Sequence, residues 1–227
     1  MTAKEYCETV EEKDRLHKKK EKNFLIRENN SPLISLKNAS MDLAYEPSVM
    51  KDYAYLVRKE LIGKIGRISE QLNSQDKTLI IRSAWRSFKH QKLLWNNTVK
   101  LMTKKYPLKT LEEIKKITSY FIAPEKKSTH STGGAIDALI YNKKTSSILD
   151  FGTNQGLKIE LSERCYPYYP DISKEARKNR ELLIGLFEEE GFVCDMKEYW
   201  HFDYGNIGWA IEKEEKRAIY DIIGEKG

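Results

Sequence analysis

Apolar residues at Ala54, Val57, Leu61, Ile65, Ile68 and Leu72 recur at steps of three and four. That spacing predicts one amphipathic helix over residues 51–72. The polar run "NSQDK" breaks it, and "TLIIRS" (residues 78–83) reads as a short buried strand. "FKHQKLLWNNTVKLMTKKY" predicts a second helix with Leu94, Trp95, Val99 and Met102 inward, and a more charged helix follows over residues 108–120. "AIDALIY" has strand character. "SKEARKNRELLIGLFEEEG" is helical, with Ser173 as its N-cap and Gly191 just past its end. "FVCD" and "YWHFDY" read as two β segments. Helices and strands mix without a regular βαβ rhythm or a Gly-rich phosphate loop. The expected class is therefore α+β, with helices packed around a mainly antiparallel sheet.

The chain has 227 residues, 40% of them hydrophobic and 33% charged, which suits a soluble globular protein with one substantial core. Forty basic against 34 acidic residues leave a net charge of +6. An excess that small, spread along the chain, does not point to nucleic acid, which requires clustered cations. Residues 1–30 are dense in mixed charge and read as a charged N-terminal extension, solvated or frayed, ahead of one domain over residues 31–227. No apolar run approaches the ~20 residues of a membrane span. The first twenty residues lack the apolar core of a secretory signal, so the chain as it stands is expected in the cytoplasm, with no membrane partner. Cys7, Cys165 and Cys194 are odd in number and widely spaced, which fits reduced thiols better than disulfides.

Only four histidines occur. His17 lies in the charged extension, and His90 on an amphipathic helix suits a surface or packing role. His130 stands seven residues before Asp137 in "STHSTGGAID", across Gly133 and Gly134, where the missing Cβ atoms allow a tight reversal. Catalytic zinc takes three protein ligands and keeps one position open. His201, in "EYWHFDY", is the third candidate. Glu198 precedes it by three residues, a spacing that points to opposite faces of a regular strand. If both serve one site, the backbone needs a bulge or turn between them. A carboxylate beside the site, not itself a ligand, is what a general base requires. Each pair alone is weak, and a polar hairpin that happens to contain a histidine remains open on these residues.

"STHSTGGAID" fits S-x-H-x-x-G-x-A-x-D and "EYWH" fits E-x-W-H. Together they resemble the signature of D-alanyl-D-alanine dipeptidases of the vancomycin-resistance (VanX-like) type. That family sits in a wider group of zinc peptidases with D-Ala-D-Ala carboxypeptidases and the hedgehog-like fold. "SAWRSFKHQ" is similar to the family's aromatic-Arg segment, and "KNRELLIGLFEEEGF" before "EYWHFDYGN" keeps its order and spacing. The resemblance spans roughly residues 33–210. It implies one Zn²⁺ per chain on His130, Asp137 and His201, with Glu198 as the base that moves a proton from the water to the leaving amine. It also implies that Arg86 polarises the scissile carbonyl and that Ser128 helps bind the amino end of a small dipeptide substrate. Trp200 is expected to pack beneath the site.

In several members of that family an Asp follows a Gly-Ser/Thr step by a few residues, and the resemblance implies that such an acid meets the dipeptide's ammonium. Here Gly152-Thr153 matches, but Gly156 falls near the acid's place and the segment to "SER" is longer. Glu160 is the candidate replacement. A D,D-carboxypeptidase acting on peptidoglycan stems and an inactive binding module of the same fold are the alternatives; the base and arginine argue against the second.

Overall fold

The computed structural model describes residues 1–51, 53–153 and 163–223. Helix α1 (Ala3–Glu21) starts on a capping box in which Thr2 and Glu5 satisfy each other's backbone N–H groups. Strands β1 (Leu33–Ser35), β2 (Leu43–Tyr45) and β3 (Leu56–Arg58) lead into α2 (Leu61–Asn73) and β4 (Lys77–Ser83). Helices α3 (Phe88–Lys105) and α4 (Leu111–Thr118) form a hairpin with its own small core of Met102, Ile114 and Ile117. Then come β5 (Ala135–Asn142), β6 (Ser147–Ile148), α5 (Lys174–Glu189), β7 (Val193–Cys194), β8 (His201–Asp203) and α6 (Ile207–Glu212). Among the described residues, no helix is long and apolar enough to cross a membrane.

Among the described residues the main sheet runs β2-β4-β5-β8-β7, with β6 on β5, and only its β2–β4 pairing is parallel. This is the expected α+β arrangement with a mainly antiparallel sheet. Alternation along β5 and β8 sorts their side chains. Ile136, Ala138, Ile140 and Phe202 join the core, while Asp137, His201 and Asp203 are buried polar residues of the alternate positions. Leu61, Ile65, Ile68 and Leu72 of α2 and Leu183, Ile184, Leu186 and Phe187 of α5 fill that core. Phe187 stacks on Phe202 with ring centroids 3.9 Å apart, anchoring β8 directly below the polar residues.

The predicted helix over residues 51–72 is corrected at its start. Tyr55 has φ of 49° and Val57 pairs with Ile34 in a two-stranded sheet, so the helix begins at Leu61. The stripe from Leu61 to Leu72 is real, but Ala54 and Val57 matched it by coincidence of spacing. "YWHFDY" is likewise strand only from His201. Upstream the chain turns, with the His201 N–H donating to the Glu198 carbonyl at 3.0 Å. The turn required for Glu198 and His201 to share a site is therefore present. Strands β4 and β5 also slip register between Ile81 and Ser83, just before the loop that carries Arg86.

Strand β5 opens at a glycine pair that the packing demands. Gly133 has φ of 76°, and a Cβ on Gly134 would collide with the Tyr204 carbonyl and lie 2.9 Å from the Tyr220 ring. Gly134→Ala is expected to cost about 1–3 kcal/mol of overpacking strain. Urea unfolding measures it, and a change under about 0.5 kcal/mol, the ordinary surface range, would contradict the crowding.

Candidate metal centre

Three elements meet at the polar side of the sheet. Asp137 on β5 lies directly opposite His201 on β8, and Ser83 at the end of β4 pairs with Asp137 from the other side. His130 arrives from a single 3-10 turn, Thr129–Thr132, which ends on Gly133. That turn is laced to the loop after β4. The Arg86 N–H donates to the His130 carbonyl at 3.3 Å, and the Ser131 hydroxyl donates to the Arg86 carbonyl at 2.9 Å.

One ligand atom from each of His130, Asp137 and His201 lies within 4.8 Å of the others, and all three residues are buried. His130 Nδ1 is 2.8 Å from the Ala84 carbonyl, an acceptor only, so Nδ1 carries the proton and Nε2 is left as a lone pair. That Nε2 lies 3.2 Å from Asp137 Oδ2. His201 is held from the outside: its Nε2 is 3.1 Å from Asp203 Oδ1 and 3.0 Å from the Thr129 hydroxyl. Its Nδ1 faces Asp137 Oδ1 at 2.9 Å. Asp203 is itself fixed by Asn206, whose amide donates to Oδ1 at 2.6 Å while its oxygen caps α6.

Burial, reinforced by the nearby Arg86 charge, pushes His130 down to about 4, so the ring is neutral. Burial opposes a charge on His201 too, but the Asp203 and Asp137 carboxylates overcome it and hold that ring well above its ordinary value. Asp137 is likewise ionised against its burial, drawn well below the carboxylate range by the two histidines and Arg86. The inward atoms thus comprise one lone-pair nitrogen, one carboxylate and one nitrogen bearing an exchangeable proton. A divalent cation satisfies all three when it displaces that proton, which is the donor chemistry of a His₂–carboxylate site.

Around this cluster stand the other expected residues. Arg86 donates from Nη2 to Asp137 Oδ2 at 2.7 Å and from Nε to the Ser83 hydroxyl at 2.7 Å. Glu198 is half-buried, and its carboxyl is pushed up to about 8 by burial, with His201 opposing and the Asp195 and Asp137 charges adding. Ser128 is buried at the start of the His130 turn. Trp200 packs at the margin of the core, with Arg82 over its ring at 5.6 Å. Glu160 and Gly156 lie outside the described residues. His90 is buried edge-on to Tyr53, a packing histidine, and His17 lies on α1, 3.2 Å from Glu21. Asp203 and Thr129 were missed in the sequence reading. The signal for Asp203 was present: two residues from His201 in a strand, it shares that residue's face.

The family model described as D-Ala-D-Ala dipeptidase, peptidase M15, matches residues 47–218. A D-alanyl-D-alanine dipeptidase of Escherichia coli is 26% identical over 170 residues, covering 75% of this chain and 77% of that protein. One from Enterococcus faecalis is 28% identical over 101 residues, covering 44% of this chain and 48% of that protein. Among solved structures, a vancomycin-resistance D,D-pentapeptidase VanY variant in complex with Zn(II) aligns with a TM-score of 0.45 at 14% identity, covering 86% of this chain and 94% of that one. The LdcB LD-carboxypeptidase aligns at 0.46 and 16% identity, covering 83% of this chain and 76% of that one.

Proposed function

The chain belongs to the D-Ala-D-Ala dipeptidase family of M15 peptidases, and we propose that it is a zinc dipeptidase hydrolysing D-alanyl-D-alanine or a closely similar short dipeptide. The observation that carries this reading is the convergence of His130 Nε2, Asp137 and His201 Nδ1, each ring turned by a hydrogen bond to its far nitrogen. These three residues would hold one zinc ion. When bound, zinc supplies Lewis acidity to the scissile carbonyl and lowers the pKa of the attacking water.

The remaining chemistry falls to the chain's own side chains. Glu198 takes the proton from the attacking water and returns it to the leaving amine nitrogen as the C–N bond breaks. Its burial supports this role, since a carboxyl raised toward neutrality can both accept and release a proton. Arg86 is tethered by Ser83 and Asp137, so its guanidinium is already oriented when negative charge gathers on the carbonyl oxygen. Ser128, at the mouth of the His130 turn, is the candidate contact for the substrate's amino end. Glu160, supported by sequence alone, is the candidate partner of the ammonium. A pocket that reads both ends of its substrate confines the enzyme to dipeptides.

A panel of dipeptides varied in chirality at each position, assayed on zinc-loaded protein, tests the proposal. D-Ala-D-Ala is expected to be cleaved, and N-acetylated or longer peptides to be poor substrates. Equal cleavage of N-blocked peptides would replace the dipeptidase with a carboxypeptidase. Glu198→Gln is expected to retain the metal and lose about 10²–10⁴-fold in kcat; a variant with unchanged kcat removes Glu198 as the base. Asp203→Asn weakens the orientation of His201, and zinc affinity is expected to fall about 10–100-fold. Competition with a chromophoric chelator reads this, and an unchanged affinity would show that Asp203 does not set the His201 tautomer.

A further inference from the structure

The family match begins at residue 47, so α1 lies outside it. Yet α1 is tied by side chains to both flanks of Glu198. On one flank, Lys197 reaches back to α1, with Nζ 3.0 Å from Glu11 and 2.8 Å from Asp14. On the other flank, the Tyr199 N–H donates to the Cys165 carbonyl at 3.0 Å. The segment bearing that carbonyl is itself fastened to α1. Glu11 accepts from the Tyr166 hydroxyl at 2.6 Å, the Tyr6 hydroxyl accepts from the Tyr168 N–H at 3.1 Å, and the Cys7 thiol lies 3.4 Å from Glu163. Cys7 and Val10 are buried with Tyr166 in a small apolar cluster. From the core side, Arg180 of α5 donates to the Arg164 and Tyr166 carbonyls at 2.7 Å and lies 4.2 Å from the Tyr199 ring centroid.

Glu198 therefore sits on a turn closed locally by the His201 N–H on its carbonyl and by Asp195, whose Oδ1 accepts from the Lys197 N–H at 2.7 Å, and gripped from outside at residues 197 and 199. We propose that α1 is a brace for this turn, in which Glu11 and Asp14 hold Lys197 and, through Tyr166, the Tyr199 anchor, so that Glu198 is presented to the site. Lys197 and the two acids are positioning residues; none is placed in contact with substrate. The inference rests on the reading of Glu198 as the base. The Glu11 side of the pair is exposed and adds little to global stability, while Asp14 and Lys197 are partly covered. Their effect is local: a base displaced by a fraction of its working distance loses rate without losing binding.

The test uses the full-length zinc-loaded protein with Lys197→Ala, Lys197→Arg, the pair Glu11→Gln with Asp14→Asn, and all three neutral changes together. Lys197→Ala is expected to lower kcat for D-Ala-D-Ala about tenfold, with KM within twofold and zinc stoichiometry unchanged. Amide hydrogen exchange should quicken across residues 197–201 and stay constant in α2 and β4. The acid pair should reproduce this loss, the combined variant should add nothing to it, and Lys197→Arg should restore most of it. Should Lys197→Ala not fold, the acid pair on the outer helix carries the same comparison. Wild-type kcat and unchanged exchange at residues 197–201 would overturn the brace, as would losses that simply multiply in the combined variant. A wild-type protein with no dipeptidase activity would sink the functional reading instead, and the exchange measurement would still decide whether α1 orders the turn.

Discussion

Everything at this site depends on where two imidazole rings spend their outer nitrogens. His130 commits Nδ1 to the Ala84 carbonyl, and His201 commits Nε2 to the Asp203 carboxylate. Each commitment fixes a tautomer and turns the opposite nitrogen toward Asp137. Without those anchors either nitrogen of each ring could face the Asp137 carboxylate. With them, a carboxylate and two inward nitrogens are gathered where only a proton or a cation can reconcile them. The cost of burying so many polar groups is offset by satisfying each from outside the cluster.

The fold provides that outside support from elements far apart in sequence. The Ala84 carbonyl comes from the loop after β4, Asp203 is the next residue on the same face of β8 as His201, and Asn206 locks Asp203 from the cap of α6. The opposite sides of β5 and β8 are held by the core, with Phe202 stacked on Phe187. A shift of one residue between β5 and β8 would carry Asp137 or His201 into that core. Register at the site and packing below it are therefore the same constraint. α1 extends the logic outward, acting on the turn that carries Glu198 just ahead of β8.

Much of this was legible in the sequence because short-range physics governs it. The strand through Asp137, the glycine pair before it and the helix after Ser173 are written in local periodicity, turn chemistry and capping. The residues of the candidate metal centre were picked out by the likeness of "STHSTGGAID" and "EYWH" to the dipeptidase signature, since the spacing of each pair alone left a polar hairpin open. What escaped was set by tertiary contact. Val57 continued a helical spacing but pairs with Ile34 across sequence. The mixed charge of residues 1–30 looked like a solvated face, while α1 buries Cys7 and Val10 and its acids find Lys197, nearly two hundred residues on. Asp203 belongs to no ligand spacing, and its role comes from the His201 Nε2 that it holds.

The central claim is the identity of the three inward atoms. Crystals grown from zinc-loaded protein and measured at the zinc absorption edge would reveal them directly. The account predicts one anomalous peak, in bonding contact with His130 Nε2, an Asp137 carboxylate oxygen and His201 Nδ1, with His201 Nε2 still on Asp203. A peak coordinated through His201 Nε2, or one placed away from Asp137, would contradict it.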